Sequence, residues 1–204
     1  MCVHLKIKIN MNNLHQSTIV TNYNRYPNIF LKLSELKKDA DKILSFGCSI
    51  GAETQTLKEL YFKNSNIYGV DINIDAIKKA KNKYKDNNFF LYDTNEHKQH
   101  KYDIIFAMSV LCRWPETEKV LSSKGIYEFE KYNDMINELD SLLNINGYLV
   151  IYNANYLFSD SDIFSKYEII TDTTINESGF VHKFNKQNEK LSYNNNEVIF
   201  KKLI

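Results

Sequence analysis

The sequence is poor in the features that mark several common protein classes. It has only three cysteines, Cys2, Cys48 and Cys112, too few and too widely spaced for a disulfide framework or a zinc site. No apolar run reaches the roughly 20 residues that a membrane helix needs, and the N-terminus lacks a signal-peptide apolar block. The net charge of +1 provides no overall field that favours nucleic acid or an anionic membrane. We therefore expect a cytoplasmic protein with no metal site.

Length and composition are those of one ordinary globular domain. The chain has 204 residues, of which 43% are apolar and 25% charged. Apolar and polar residues alternate from Val3 to Ile9, which predicts an edge strand. A polar and aromatic stretch follows and leads into a helical pattern at Ile29, Leu33 and Leu36. We divide the chain into a cap or entry segment, residues 1–40, and a single α/β domain, residues 41–204.

The rest of the chain is organised around the stretch KILSFGCSIGAETQTL, residues 42–57. A short apolar strand ends at a turn bounded by Gly47 and Gly51, and a helical pattern begins near Ala52, with Leu57, Leu60 and Tyr61 on one face. The turn encloses Cys48 and Ser49. Glycine permits a left-handed backbone or the close approach of a ligand, and free N–H groups at a helix start suit an anion. The pattern predicts a nucleotide-type binding corner.

An acidic residue at the end of the next strand strengthens this prediction. The run SNIYGVD reads as a second strand that ends at Asp71, with Ile72 directly after it. In a parallel α/β sheet, an acid at this place binds the two hydroxyl groups of a ribose. The glycine turn and Asp71 together predict an adenosine-containing cofactor.

The remaining pattern alternates strands with helices. Helical spacing predicts a helix at 73–85 and a longer one that stops at a turn made by Asn146 and Gly147. Apolar runs predict strands at 88–92, 102–111 and 148–152. The connection at 95–101 is too short and polar for a full helix. The tail predicts strands at 167–174 and 197–203, which pair as an antiparallel hairpin or with residues 179–184 at one sheet edge.

Residues 41–155 resemble the class I S-adenosylmethionine-dependent methyltransferases. The glycine turn, Asp71, Asp93 after the third strand, the opening YDII of the fourth strand and NGYLVI at the fifth follow that family's order and spacing. The resemblance implies S-adenosylmethionine as cofactor and an α/β fold with a Rossmann-like, mostly parallel seven-stranded sheet, an antiparallel C-terminal strand and helices on both faces. It implies cofactor contacts from Gly47, Cys48, Ser49, Gly51, Asp71, Ile72, Asp93, Thr94, Ala107 and Met108.

The sequence departs from this family at two positions of the first motif. Ser45 replaces the usual acid before the first glycine, and Ser49 replaces the middle glycine. The turn with Glu53 nearby instead resembles, locally, the chemotaxis-receptor glutamate methyltransferases, although no separate N-terminal helical domain is evident. No Asn/Asp-Pro-Pro-Tyr follows the fourth strand, and Cys112 lacks the Pro-Cys context of cytosine-C5 enzymes. These absences disfavour adenine-N6, glutamine and cytosine-C5 methylation.

We expect the substrate to bind in the crevice at the carboxyl ends of the fourth and fifth strands. Arg113, Trp114 and Tyr127 flank the loop after the fourth strand, and Asn153 follows the fifth. Each of these residues has a local alternative, as a core-edge aromatic, a surface ion pair or a turn residue. Tyr23, Arg25 and Tyr26 are candidates for a lid, with Arg25 meeting the cofactor carboxylate.

The predicted reaction is methyl transfer to an oxygen or nitrogen of a small-molecule acceptor. The sulfonium is already a strong electrophile, so the protein mainly aligns the reactants, and the sequence shows no catalytic triad. The alternatives are a non-catalytic cofactor-binding or assembly module on the same fold and a nucleotide-dependent oxidoreductase. The latter normally shows G-x-G-x-x-G, whose middle glycine is absent here. The sequence does not indicate a general base, the acceptor or the oligomeric state.

Overall fold

The computed structural model describes residues 14–85, 87–171, 179–193 and 197–204. Its helices are α1 (Pro27–Leu36), α2 (Ala52–Thr56), α3 (Ile74–Lys83) and α4 (Phe129–Leu142). Its strands are β1 (Lys42–Phe46), β2 (Asn66–Asp71), β3 (Asn88–Leu91), β4 (Tyr102–Met108), β5 (Leu143–Tyr152), β6 (Tyr167–Ile170) and β7 (Ile199–Lys202). The edge strand predicted at 3–9 lies outside the described residues.

The strands form one seven-stranded sheet in the order β3-β2-β1-β4-β5-β7-β6. The first five are parallel to their neighbours, and β7 runs antiparallel to both β5 and β6. The predicted sheet and its antiparallel C-terminal hairpin are therefore confirmed. The chain moves outward from β1 to β3 and then returns to β4, so the strand order reverses between β1 and β4. In open α/β sheets, ligands bind at the carboxyl ends of the strands beside such a reversal.

Helices cover both faces of the sheet, because neighbouring residues of a strand point to opposite sides. Ile43 of β1 and Ile104 of β4 face α1. The next residues, Leu44 and Ile105, face α4. Strands that are buried on both sides read as nearly continuous apolar runs, which is why β1 and β4 were predictable.

Three local predictions are wrong. Leu60 was predicted to share a buried face with Leu57, but α2 continues as one π-helical turn, Leu57–Tyr61, and leaves Leu60 46% exposed. Strand β4 ends at Met108 instead of residue 111, since the next residue is left-handed. Asn146 and Gly147 lie inside β5 and do not stop α4. A Cβ at Gly147 would lie 2.9 Å from the carbonyl oxygen of Asp103, so this glycine permits close strand packing.

The C-terminal hairpin is shorter than predicted and is fastened to α4. The predicted strand at 167–174 ends at Ile170 in the structure, and residues 172–178 lie outside the described part. Residues 179–184 make only isolated bridges in the described chain and do not join the sheet as a strand. The buried carboxylate of Asp140 in α4 lies 2.9 Å from Lys202 Nζ and 3.0 Å from Lys166 Nζ. It also accepts a hydrogen bond from Tyr167, which ties the helix to both strands of the hairpin.

None of the helices in the described part of the chain is long and apolar enough to cross a bilayer.

Candidate active site

A cavity lies at the carboxyl ends of β1, β2 and β4, beside the reversal of strand order. The residues just after these strands form its floor, and the N-terminal segment 14–26 crosses above them. We call this segment the N-terminal strap. Residues 14–22 line the cavity without interruption, together with Arg25 and Tyr26. The cavity therefore lies between the sheet edge and the strap.

The glycine turn shapes the floor of the cavity. Gly47 has a φ of 76° and Gly51 a φ of 83°, both in the left-handed region that glycine adopts without strain. A Cβ at Gly47 would lie 2.5 Å from Val110 Cγ2, so the close approach of the loop after β4 also requires glycine. Ser49, at the place of the family's middle glycine, has a φ of 50°. The turn thus keeps its left-handed backbone despite this substitution.

Asp71 holds the turn and still has room for a ligand. One carboxylate oxygen accepts from the backbone N–H of Ser49 at 2.7 Å, and the other from that of Asn73 at 2.8 Å. Burial raises the pKa of Asp71, and these backbone bonds oppose that shift. Because each carboxylate oxygen accepts about two hydrogen bonds, Asp71 can also bind the two hydroxyls of a ribose.

A second carboxyl group lines the cavity where the family's first-motif acid is missing. Ser45 Oγ, at the position of that acid, donates to Glu53 Oε1 at 2.8 Å. Glu53 lies in the first turn of α2 and belongs to the cavity wall. Burial raises its pKa to about 7, against an opposing effect of the Ser45 hydrogen bond. The acid is therefore present in the cavity, supplied by the helix instead of the strand.

The strap is fixed to the body of the protein at several points. Lys131 Nζ and Arg113 Nη1 both donate to the carbonyl oxygen of Leu14, at 2.8 and 3.3 Å. The next residue, His15, has its Nδ1 2.6 Å from the hydroxyl of Tyr127. Burial lowers the pKa of His15 to about 3, so its imidazole is neutral at physiological pH.

Six of the ten residues that were predicted to bind the cofactor line this one cavity: Gly47, Cys48, Ser49, Asp71, Ile72 and Met108. The other four are not part of its wall. Asp93 and Thr94 are exposed, and the preceding residue, Tyr92, lines the cavity instead. Ala107 is buried among the residues that face α4. Gly51 packs outside the cavity, where a Cβ on this residue would lie 2.8 Å from the ring of Phe89.

The four residues predicted on the substrate side do not line the cavity, but three of them hold residues that do. Arg113 and Tyr127 bind the strap, as described above, and Asn153 donates to Ser109 Oγ at 2.8 Å. Trp114 packs against the ring of Phe180, with 5.5 Å between centroids. Sequence reasoning missed His15 and Tyr92 as wall residues.

The described residues supply neither a metal site nor a reactive thiolate. No group of three or more His, Cys, Asp or Glu side chains in the described ranges could hold a metal ion. Burial raises the pKa of the Cys112 thiol to about 12 and that of Cys48 well above its usual value, so both remain protonated. The chemistry of the cavity therefore depends on its carboxyls, hydroxyls and backbone.

Comparison with known proteins identifies the family of the chain. Residues 37–199 match the family described as methyltransferase domain, and the chain belongs to that family. Its class is the S-adenosylmethionine-dependent methyltransferases, so the resemblance found in the sequence is confirmed.

Among curated proteins, the chain is 32% identical over 126 residues to malonyl-[acyl-carrier protein] O-methyltransferase 2 of Ilyobacter polytropus, a match of 60% of this chain and 41% of the relative. The chain thus spans about two fifths of the length of the curated relative it matches. Among solved structures, the O-methyltransferase StiE, residues 961–1257, is 15% identical with a TM-score of 0.48, over 71% of this chain and 51% of that one. The plantazolicin methyltransferase BpumL with S-adenosylhomocysteine is 17% identical with a TM-score of 0.46, over 63% and 46%.

The residues of the cavity fit S-adenosylmethionine, the cofactor of this class. The left-handed turn places Gly47, Cys48 and Ser49 in the cavity wall. Asp71 retains acceptor capacity for the ribose, and the half-buried carboxyl of Glu53 suits an ammonium group. Arg25 is in the same wall and suits a carboxylate. The cavity therefore offers a partner for each polar end of the cofactor.

Proposed function

We propose that this protein transfers the methyl group of S-adenosylmethionine to an oxygen or nitrogen of a small-molecule acceptor. The observation that carries the proposal is the pair of half-buried carboxyls, Asp71 and Glu53, in one cavity at the carboxyl ends of the strands. The named O-methyltransferase relative supports an oxygen acceptor. The +1 net charge gives no support to a nucleic-acid partner.

The order of the strands supports one direction for the bound cofactor. With the ribose on Asp71 at the end of β2, the adenine lies toward β3, where Tyr92 lines the cavity. The methionine portion then crosses the glycine turn of β1. Glu53 would hold its ammonium, and Arg25 of the strap would hold its carboxylate, both from the wall of the same cavity.

The cofactor, when bound, supplies an electrophilic methyl group on a positively charged sulfur. The protein contributes alignment and exclusion of water. The glycine turn and Asp71 fix the adenosine, Glu53 and Arg25 fix the amino-acid end, and the strap covers the cavity. Strands β1 and β4 present the methyl end to the acceptor side.

Isothermal calorimetry with S-adenosylmethionine, S-adenosylhomocysteine and NAD⁺ tests the cofactor assignment. We expect both adenosyl amino acids to bind and NAD⁺ not to bind. Binding of NAD⁺ alone would instead support the oxidoreductase alternative. A screen that detects S-adenosylhomocysteine release with diverse acceptors then tests turnover. Binding without turnover for every acceptor class would support a non-catalytic binding module.

A further inference from the structure

Two hydroxyl groups meet at the end of β4, in the wall of the cavity. The hydroxyl of Tyr26 lies 2.7 Å from Ser109 Oγ, and both half-buried residues line the cavity. Ser109 has a φ of 58°, which places a residue with a Cβ in the left-handed region. Such strained conformations persist only where neighbouring contacts hold them, and they are concentrated at functional sites. The contacts that hold Ser109 therefore indicate what its hydroxyl is arranged to do.

Asn153, directly after β5, fixes the orientation of the Ser109 hydroxyl from behind. Its Oδ1 accepts from the backbone N–H of Phe180 at 2.7 Å, which determines which end of the amide is oxygen. Its Nδ2 therefore donates to Ser109 Oγ, at 2.8 Å. Asn153 is almost fully buried and is itself left-handed, with a φ of 56°. One lone pair of the Ser109 oxygen is thus already occupied.

The remaining hydrogens of this group can be counted. Tyr26 and Ser109 each carry one hydroxyl hydrogen, and a single hydrogen bond joins the two oxygens. Whichever hydroxyl donates in that bond, the other keeps a hydrogen that has no protein acceptor among the described residues. Burial raises the pKa of Tyr26 to about 12, so the phenol keeps its proton at neutral pH. The pair always has one O–H to donate to a ligand.

The Tyr26–Ser109 pair lies at the end of β4, on the other side of β1 from Asp71. None of the proposed cofactor contacts is on that side. The sulfur of S-adenosylmethionine carries three groups. The ribose is assigned to Asp71 on β2, and the amino acid to Glu53 at the start of α2. The methyl group is the third, and with these two contacts made it would face the end of β4, where Tyr26 and Ser109 line the cavity.

We propose, on the basis of the function proposed above, that the Tyr26–Ser109 pair forms the methyl-transfer face of the cavity and orients a carboxylate acceptor. The free O–H donates to one carboxylate oxygen while the other attacks the methyl carbon. The new C–O bond forms as the C–S bond breaks, and the bonding electron pair goes to sulfur, which becomes a neutral thioether. No proton leaves the acceptor. A carboxylate therefore needs no general base, and the pair, which carries only neutral hydroxyls, supplies none.

The test uses acetate, the smallest carboxylate, as the probe, with methanol and methylamine at equal concentration as alternatives. We expect acetate to accelerate formation of S-adenosylhomocysteine by the wild-type protein, and the other two not to. Tyr26→Phe and Ser109→Ala should each reduce the acetate-dependent rate by about 10- to 100-fold, the effect of one lost hydrogen bond to a charged group. Tyr193→Phe, which removes an exposed hydroxyl, is the matched control.

Asn153→Asp tests the positioning role, because it keeps an acceptor for Phe180 and removes the donor to Ser109. It should lower the acetate-dependent rate and leave the affinity for S-adenosylhomocysteine unchanged. The NMR signal of ¹³C-methyl-labelled S-adenosylmethionine should shift in Tyr26→Phe and Ser109→Ala, since both change groups beside the methyl.

Three results would overturn the proposal: acetate gives no acceleration, the two hydroxyl variants retain the full acetate-dependent rate, or the bound methyl signal is unmoved in both. A loss of S-adenosylhomocysteine affinity in these variants would place the pair against the methionine carboxylate and also overturn it. Failure of the wild-type protein to bind either adenosyl ligand is a different result, which refutes the proposed function itself.

Discussion

Replacement of Glu53 by glutamine tests whether the acid supplied by α2 binds the amino group of the cofactor. Glutamine keeps an oxygen that can accept from Ser45 Oγ, which lies 2.8 Å from the native carboxyl, and removes only the charge. Hydrogen bonds to charged groups contribute about 1.5–3 kcal/mol. At about 1.4 kcal/mol for each factor of ten, Glu53→Gln should weaken binding of S-adenosylhomocysteine by about 10- to 100-fold.

The assay is calorimetry with two ligands. S-adenosylhomocysteine carries the amino group, and methylthioadenosine lacks the whole amino-acid end. Glu53→Gln should weaken only the first, while Glu59→Gln, an exposed change in the next turn of the same helical stretch, should weaken neither. Equal losses for both ligands, or no loss for either, would refute the role of Glu53.

Glu53 should also make the stability of the folded protein depend on pH. Its raised pKa determines the direction of that dependence. Burial raises the pKa of Glu53 from 4.5 to about 7, so the folded protein binds more protons than the unfolded chain in that interval. Stability from this group is fully present below pH 4.5 and is lost as the pH rises through about 7, by up to about 3 kcal/mol. Urea denaturation at a series of pH values should show this loss in the wild type and not in Glu53→Gln. Cofactor affinity has the opposite trend and should rise over the same interval as the carboxyl ionises.

Three further changes test other parts of the structure. Asp71→Ala should weaken binding of adenosine and of S-adenosylhomocysteine in calorimetry by at least about tenfold, because it removes the carboxyl acceptor for the ribose hydroxyls, whereas Asp75→Ala on the exposed start of α3 should not. Gly47→Ala should cost about 1–3 kcal/mol in urea denaturation, since its left-handed backbone and the 2.5 Å approach of a valine methyl leave no place for a Cβ. Asp140→Ala should cost about 3–5 kcal/mol by leaving Lys202 buried without its carboxylate, and its effect should shrink as the pH falls, because the hydrogen-bonding lysines hold the pKa of Asp140 low. An Asp140→Ala protein as stable as the wild type would show that this ion cluster is dispensable.

The sheet was predictable from the sequence because short stretches of the chain carry the patterns that determine its strands and turns. Strands β1 and β4 are buried on both faces, so their apolar runs stand out. The glycine turn and Asp71 follow a spacing set by the geometry of strand, turn and helix. Asn146 and Gly147 were misread because their pair usually ends a helix, whereas here the glycine allows β5 to pass close to Asp103.

The walls of the cavity were less predictable, since distant residues build them. The strap has no apolar period, and its place depends on contacts such as that of His15 with Tyr127, 112 residues away. Glu53 was visible in the sequence only as a neighbour of the turn. Its burial and its bond to Ser45 follow from the three-dimensional arrangement. The replacement of an acid by Ser45, with a carboxyl eight positions later, is the signal that could have identified it.

The anchoring of the strap also has a consequence for synthesis of the chain. Leu14 and His15 leave the ribosome early, yet their partners Lys131 and Tyr127 lie 117 and 112 residues further on. A nascent chain therefore exposes the glycine turn long before Lys131 and Tyr127 can hold the start of the strap, although Ile19 of the strap can already accept from Ser49 Oγ of the turn. The cofactor site becomes complete only after α4 has been made, so a truncated product would carry the recognition motif without the ability to retain its ligand.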